Sequence, residues 1–218
     1  MAGAEKRTFD RNAKGVREML NMKYDTFPFE GKWRDAFDNP ERKGVWLIWG
    51  NSSNGKTSFA MKLCKYLCQF GRVAYDSLEE GACLTMQNKL SEFGMMEVNR
   101  RFLLIDNENM EQLSIRLKRQ KSPDIVVIDS LQYAQLKYPD YIKFKEMHAN
   151  KLLIFISHAD GRLPNGRAAR SIMYDASLKI YVEGYRAFSK GRFEGPVGYY
   201  DIDPIKAPVY WAGKNRPW

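Results

Sequence analysis

A chain of 218 residues with 44% hydrophobic residues can bury about two-thirds of its unfolded surface, which suits one compact domain and leaves no room for a second full one. A mean hydropathy of -0.53, and the lack of any apolar run near the roughly 20 residues needed to cross a bilayer, exclude a membrane span. Thirty-five Lys and Arg against 26 Asp and Glu give a net charge of +9 and a pI near 9.4, a balance that favours a polyanionic partner such as nucleic acid or nucleotide.

Residues 1 to 43 mix charges with isolated aromatics (Phe27, Phe29, Trp33, Phe37) and carry turn signals at Pro28, Gly31 and Pro40. This pattern predicts a helix followed by an irregular lead-in. The polar opening has no secretory leader, and the three cysteines Cys64, Cys68 and Cys83 are an odd number; a reducing, cytoplasmic setting is expected. Cys64 and Cys68 share a helical face, but no further Cys or nearby His completes a metal set, so they read as buried structural thiols.

The texture changes at GVWLIWG, residues 44 to 50, a short apolar run that reads as a strand buried on both faces. A helix is predicted over 56 to 69, then a strand at RVAYDSL, a helix over 84 to 93, a strand at RFLLIDN and a helix over 110 to 119. Strands follow at DIVVIDS (124 to 130), LLIFISH (152 to 158) and SLKIYVEG, and the tail from Arg186 reads as antiparallel strands separated by Gly191, Gly195 and Pro204. The expected fold is α/β: a mostly parallel twisted sheet with helices on both faces and antiparallel strands near the end, forming one domain over 44 to 218 behind the 1 to 43 extension.

Residues 50 to 57, GNSSNGKT, fit GxxxxGK[ST] at every defined position, after an apolar strand and before a helix. Gly50 and Gly55 allow the tight path that turns the amides of Asn51, Ser52, Ser53 and Asn54 inward, and the helix entered through Lys56, Thr57 and Ser58 adds its positive end. Lys56 is expected to reach the β and γ phosphates of ATP, and the Thr57 hydroxyl to ligate Mg²⁺. Asp129 emerges at the carboxyl end of a buried strand, where ligands of open α/β sheets bind, and fits an acid that holds the same Mg²⁺ through water. The next residue is Ser130 rather than a glutamate, so a water-orienting base must come from elsewhere. Glu79 and Glu80 directly follow the second strand, whose carboxyl end is expected beside that of the first; Glu79 is the candidate base, and Glu80 reads as opening the next helix.

With these motifs the chain resembles the RecA-like P-loop ATPases, the superfamily of RecA, RadA and the replicative helicase DnaB. YDSLEE looks like the family's second-strand motif with its catalytic glutamate, and VVIDSLQ like its Walker B strand. ISHADGRLPNGRAARSIMYDASLKIYVEG resembles the histidine-bearing motif and glycine-containing loop of RadA. By that resemblance His158 senses the γ phosphate and the loop from Ala159 to Ser171 faces DNA. FSKGRFEG resembles a segment that lends cations to a neighbouring subunit's nucleotide, matched here by Lys190 and Arg192, with Gly191 in place of the usual asparagine; an ordinary surface hairpin is the alternative. The resemblance covers roughly residues 44 to 195, without the additional domains of the large family members, and so looks like the stand-alone cores of phages and mobile elements.

It also implies partners. Lys137, Lys143 and Lys145, interleaved with Tyr133, Tyr138, Tyr141 and Phe144, and then Arg162, Arg167 and Arg170, occupy the positions of the family's two DNA-facing loops. Cations with stacking rings suit single-stranded DNA; the alternative is that the rings are core and the lysines a solvated face. The implied activity is a Mg²⁺-dependent ATPase acting with single-stranded DNA in recombination, annealing or replication, as a ring or filament and alongside replication or recombination proteins. Two other readings stand beside it: a small-molecule kinase with Arg162, Arg167 and Arg170 as its lid, and a nucleotide-dependent helicase loader or transposition adaptor.

Overall fold

A computed structural model describes residues 13 to 191 and 198 to 217. Two short helices, α1 (Val16–Asn21) and α2 (Gly31–Phe37), precede β1 (Gly44–Gly50), α3 (Lys56–Leu67), β2 (Val73–Ser77), α4 (Leu84–Glu92) and a 3-10 turn at Met95–Val98. Then come β3 (Phe102–Asp106), α5 (Met110–Leu117), β4 (Ile125–Asp129), α6 (Leu131–Ala134), α7 (Tyr138–Met147), β5 (Leu152–Asp160), β6 (Leu163–Pro164) and α8 (Arg167–Asp175). β7 (Leu178–Glu183), β8 (Arg186–Gly191), β9 (Tyr199–Asp201) and α9 (Lys206–Trp211) close the described chain. No helix among the described residues is long and apolar enough to cross a membrane.

The main sheet runs β3-β2-β4-β5-β1-β7-β8-β9, with β6 attached to β5. Pairing is parallel from β3 to β7 and antiparallel for β8 and β9, as the alternating pattern implied. β1 shows why the strands read as unbroken apolar runs. Its side chains alternate in direction, so Trp46 and Ile48 enter one core while Val45, Leu47 and Trp49 enter the other. Cys64 and Cys68 are free thiols buried in the first core.

The expected neighbour of β1 was β2, and the structure differs: β4 and β5 lie between them. Burial on both faces identifies a central strand without identifying its partner, and sequential strands are adjacent only about two-thirds of the time. The tail also differs, because it ends in α9 rather than a further strand. Asp203 Oδ1 accepts the amides of Ile205 and Lys206, each at 2.9 Å, and this side-chain cap turns the chain out of extended geometry. Trp211 then packs edge-on against Phe188 at 4.8 Å between centroids.

The lead-in joins the main core. Phe27, Phe29 and Phe37 are buried in the same cluster as Trp46, Ile48 and Phe59, and each such ring contributes about 1.5–3 kcal/mol of burial. A Cβ on Gly198 would lie 2.4 Å from Asp35 O, so the start of β9 can approach α2 this closely only as glycine.

Asp76, on the face of β2 opposite Tyr75, is fully buried. Its Oδ1 accepts the Glu108 amide at 3.2 Å, and its Oδ2 has no hydrogen-bond partner. Burial is the main cause that raises its carboxyl from 3.8 to about 7; the Glu108 charge adds to this, while the Glu108 amide and Arg116 oppose it. The unfolded carboxyl therefore ionises first, so stability present below pH 3.8 is lost as pH rises towards about 7. Asp76→Asn should flatten the dependence of the thermal midpoint on pH between about 4 and 7; a variant whose midpoints run parallel to wild type across that window would show that Asp76 is not the group responsible.

Candidate functional site

The phosphate loop is stapled on both sides. A Cβ on Gly50 would lie 2.1 Å from Val182 O, so only glycine lets β1 finish this close to β7. Ser53 and Gly55 take positive φ values of 61° and 96°, bending the chain so that its amides can point inward. Asn54 ties the loop to the β7–β8 turn: its Oδ1 accepts the Gly184 amide at 2.8 Å, and its carbonyl accepts the Tyr185 amide at 3.2 Å. Asn54 Nδ2 also donates to Ser52 O at 3.0 Å.

α3 starts at Lys56, whose Nζ donates to Asn51 O at 3.1 Å. Burial lowers the Lys56 pKa, and the charges of Asp129 and Glu79 oppose that shift. Both acids therefore act on the lysine of the loop. Beside the loop lies a cleft of about 530 Å³, lined by Ser53, Lys56, Thr57 and Ser58, by Tyr185, Ile202 and Asp203, and by Lys89, Glu92 and Phe93. Tyr185 and Ile202 border Gly55 directly, with Tyr185 Cδ1 3.6 Å and Ile202 Cδ1 3.5 Å from the position its Cβ would take. These wall residues have no sequence signature, because the fold delivers them from the far side of the sheet.

Asp129 ends β4, and the Tyr75 hydroxyl donates to its Oδ2. Burial raises its carboxyl from 3.8 to about 6; the Tyr75 hydrogen bond and Lys56 oppose the rise, and Glu79 adds to it. The amides of Leu78 and Glu79 both donate to Asp129 O, at 2.7 and 3.1 Å, which fastens the end of β2 to the end of β4. Although β2 is not beside β1, Glu79 still arrives near the loop. His158 sits opposite Gly50 in the β1–β5 register, and Glu79 Oε2 is 3.3 Å from His158 Nε2. Glu80 does not open a helix: it lies in the turn before Gly81, and α4 begins at Leu84.

Gln132 is a further site residue that motif reading missed. Its Nε2 donates to Ser157 Oγ at 2.9 Å and to Asn165 O at 3.1 Å, while its Oε1 accepts the His158 amide at 3.2 Å. One side chain thus joins α6, the end of β5 and the return of the following hairpin.

The basic stretches divide. Tyr141 and Phe144 are not stacking rings: both are buried in the second core, from α7. Lys145 is ion-paired to Asp175 at 2.7 Å. Tyr133 and Tyr138 are exposed, as are Lys137 and Lys143. After His158, Arg162 Nη1 donates to Pro217 O at 3.0 Å, and Arg170 pairs with Asp160 at 3.0 Å and donates from Nε to Pro164 O at 3.2 Å. Arg167 is exposed at the start of α8. Arg162 and Arg170 thus each have a partner within the chain. Lys190 is exposed on β8; Arg192 lies outside the described residues.

Among the described residues no three His, Cys, Asp or Glu side chains are placed to hold a metal by themselves. The donors near the loop, the Thr57 hydroxyl and the Asp129 carboxylate, are hard oxygens. They suit Mg²⁺, which keeps several waters and takes its remaining ligands from substrate phosphates. The buried, upward-shifted Asp129 is a group that a cation would stabilise.

No family model matches the chain, and no curated protein does either. Solved structures do match in fold. The flagellar accessory protein FlaH from Methanocaldococcus jannaschii aligns with a TM-score of 0.58 at 15% identity, covering 82% of this chain and 92% of that one. The KaiC-like protein PH0186 from Pyrococcus horikoshii OT3 aligns with a TM-score of 0.53 at 16% identity, covering 82% and 96%. The ATPase domain of G40P aligns with a TM-score of 0.50 at 18% identity, covering 72% and 80%. The fold is that of the RecA-like P-loop ATPases.

A base bound beyond the phosphates would rest on Tyr185. Tyr185→Ala should weaken ATP binding by roughly tenfold, the lower part of the about 1–3 kcal/mol for one ring stacked on one base, and leave tripolyphosphate binding unchanged. Calorimetry on both ligands checks this; equal losses for both would place the base elsewhere.

Proposed function

We propose that this chain is a Mg²⁺-dependent ATPase that acts with single-stranded DNA in recombination, annealing or replication. The observation that carries the reading is the meeting of Glu79 and His158 at 3.3 Å, at the end of the sheet where β4 finishes with Asp129 and β1 passes into the phosphate loop. In this reading Lys56 and the loop amides hold the β and γ phosphates, and Thr57 and Asp129 hold the metal. Bound Mg²⁺ would neutralise charge on the β and γ oxygens. Glu79 accepts a hydrogen bond from water and orients it for in-line attack on the γ phosphate, the role left open by Ser130.

His158 gives the reaction a partner-dependent control. It touches Glu79 through its ring, and its carbonyl accepts the Asn165 amide at 2.9 Å across the hairpin. A strand bound along that hairpin acts on the histidine and, through it, on the acid. Lys137, Lys143 and Arg167, with the exposed rings of Tyr133 and Tyr138, supply cations and stacking surface for an unpaired strand. Assembly into a ring or filament would bring Lys190 and Arg192 to a neighbour's nucleotide, in a cytoplasmic setting alongside replication or recombination proteins.

The same contact favours a second reading. While Glu79 is held by His158 it is not free for water, as expected of an adaptor or loader in which ATP binding matters more than turnover. Turnover should rise several-fold on adding single-stranded DNA at low salt, and Lys56→Ala should abolish nucleotide binding. Glu79→Gln should bind ATP normally and lose at least 100-fold in turnover, within the about 10²–10⁴-fold range of general base catalysis. Steady-state turnover with and without DNA, run beside an ATP-binding isotherm, separates the two: unchanged turnover in Glu79→Gln, with no response to DNA, would remove the ATPase reading and leave the adaptor.

A further inference from the structure

The opposite edge of the sheet, where the parallel strands begin, is ringed with unpaired cations. Lys43 precedes β1, Arg72 precedes β2, Arg100 and Arg101 precede β3, and Lys118, Arg119 and Lys121 precede β4; all seven are exposed. Backbone bonds place them on one continuous rim. Val73 N donates to Arg101 O at 2.8 Å, Asp124 N to Arg72 O at 3.0 Å, Leu152 N to Asp124 O at 3.0 Å and Gly44 N to Lys151 O at 3.0 Å. The rim thus spans β3-β2-β4-β5-β1, four strand spacings of about 4.8 Å or roughly 19 Å in all.

Part of this charge has a structural use. Helices packed on a parallel sheet end at this edge, and their last carbonyls favour cations. Arg101 Nη1 donates to Cys68 O at 3.0 Å and Gln69 O at 3.1 Å, Arg42 donates to Phe70 O, and Arg72 to Lys121 O. That use does not extend to Lys43, Arg100 or Arg119, whose side chains donate to no carbonyl or carboxylate among the described residues, although the charge of Arg119 acts on Glu108. Among the described residues none of the seven is in an ion pair, whereas Lys145 and Arg170 on the nucleotide side are paired with Asp175 and Asp160. Carboxylates at the rim are already engaged: Asp124 Oδ2 accepts the Arg72 amide at 3.3 Å, and Glu97 pairs with Lys65 at 3.1 Å. Like charges along one edge repel one another, a cost that a polyanion laid along the rim lowers.

We propose that this rim binds the phosphate backbone of duplex nucleic acid, as a second surface facing away from the nucleotide cleft. Among the described residues one exposed ring, Tyr24, stands near Lys43, where Arg42 N donates to Asp25 O at 3.0 Å. A single ring at one end of the rim makes no row of stacking sites, which favours a duplex over a single strand. The nearby ring of Phe70 is only partly exposed and is packed against Phe27, Phe29 and Tyr66, so the rim offers charge without a stacking platform. A length of roughly 19 Å matches five or six base-pair steps of about 3.4 Å, and the contacts carry no sequence preference. This surface is independent of the reading of the cleft.

The test is binding of a short fluorescent DNA duplex to the full chain over a range of salt, for wild type, for the triple variant Lys43→Ala/Arg100→Ala/Arg119→Ala, and for Lys137→Ala/Lys143→Ala/Arg167→Ala on the nucleotide side. The rim variant should lose affinity, and its plot of log K against log salt should be shallower by about 2 to 3, at about 0.9 per lost phosphate contact. The thermal midpoint and basal ATP turnover should stay as in wild type, and if the triple variant does not fold, each single variant should lower the slope by about 1. Three results overturn the proposal: no duplex binding by wild type at low salt, an unchanged slope in the rim variants with loss only in the nucleotide-side variant, or loss of binding to phosphatidylserine vesicles with duplex binding intact.

Discussion

One carbonyl organises the chemistry. Asp129 O accepts the amides of both Leu78 and Glu79, so the acid that ends β4 and the acid that follows β2 are set relative to each other by main chain rather than by side-chain preference. Backbone groups buried at a strand end must find partners, and here the obligation places two carboxylates on one side of the phosphate loop. The electrostatics follow from that placement. Asp129 is pushed up to about 6 chiefly by burial, Lys56 is pushed down by the same cause, and each offsets the other's shift. Such a set of charges is costly when only partly neutralised and gains most from a ligand that brings both a cation and an anion.

The two ends of the sheet divide charge in opposite ways. At the carboxyl end the strands finish among acids, and helix α3 begins there, directing its amides at the loop. Helices α3 and α5 end at the amino edge, and the sequence places Arg and Lys at almost every strand entry there. Helix ends alone would need few of these cations. The surplus, Lys43, Arg100 and Arg119, lies on the face away from the nucleotide cleft.

What was legible in the sequence was whatever a local rule enforces. β1 was read to the residue, as an apolar run bounded by glycines, and the segment between it and α3 falls where the motif's strand-loop-helix context requires. Asp129 and Glu79 were found as strand-end acids for the same reason. The neighbour of β2 was not legible, since double-sided burial is compatible with any interior position. In α7, Tyr141 and Phe144 are buried three residues apart on a ten-residue helix; so short a stripe, framed by Lys137 and Lys143, has the same composition as a basic loop with stacking rings. α9 depended on the Asp203 side chain capping two amides, a choice invisible to apolar periodicity. Tyr185 and Ile202 reach Gly55 only through the β7–β8 turn and the chain after β9, so nothing near the loop announces them.

Gln132 shows how a local motif becomes a device once the sheet closes. It stands three residues after Asp129, yet its side chain reaches Ser157 Oγ, the His158 amide and Asn165 O on β5 and beyond. An amide with three partners ties His158 to the hairpin: displacement of the hairpin's return must either carry Gln132 along or break its bond to Asn165 O. Since α6 directly follows Asp129, such a movement is felt at the carbonyl that fixes Glu79. The hairpin, the histidine and the acid therefore form one mechanical unit, held together by hydrogen bonds worth about 0.5–1.5 kcal/mol each. Bonds of that size can be exchanged one at a time, while together they keep the unit in one arrangement.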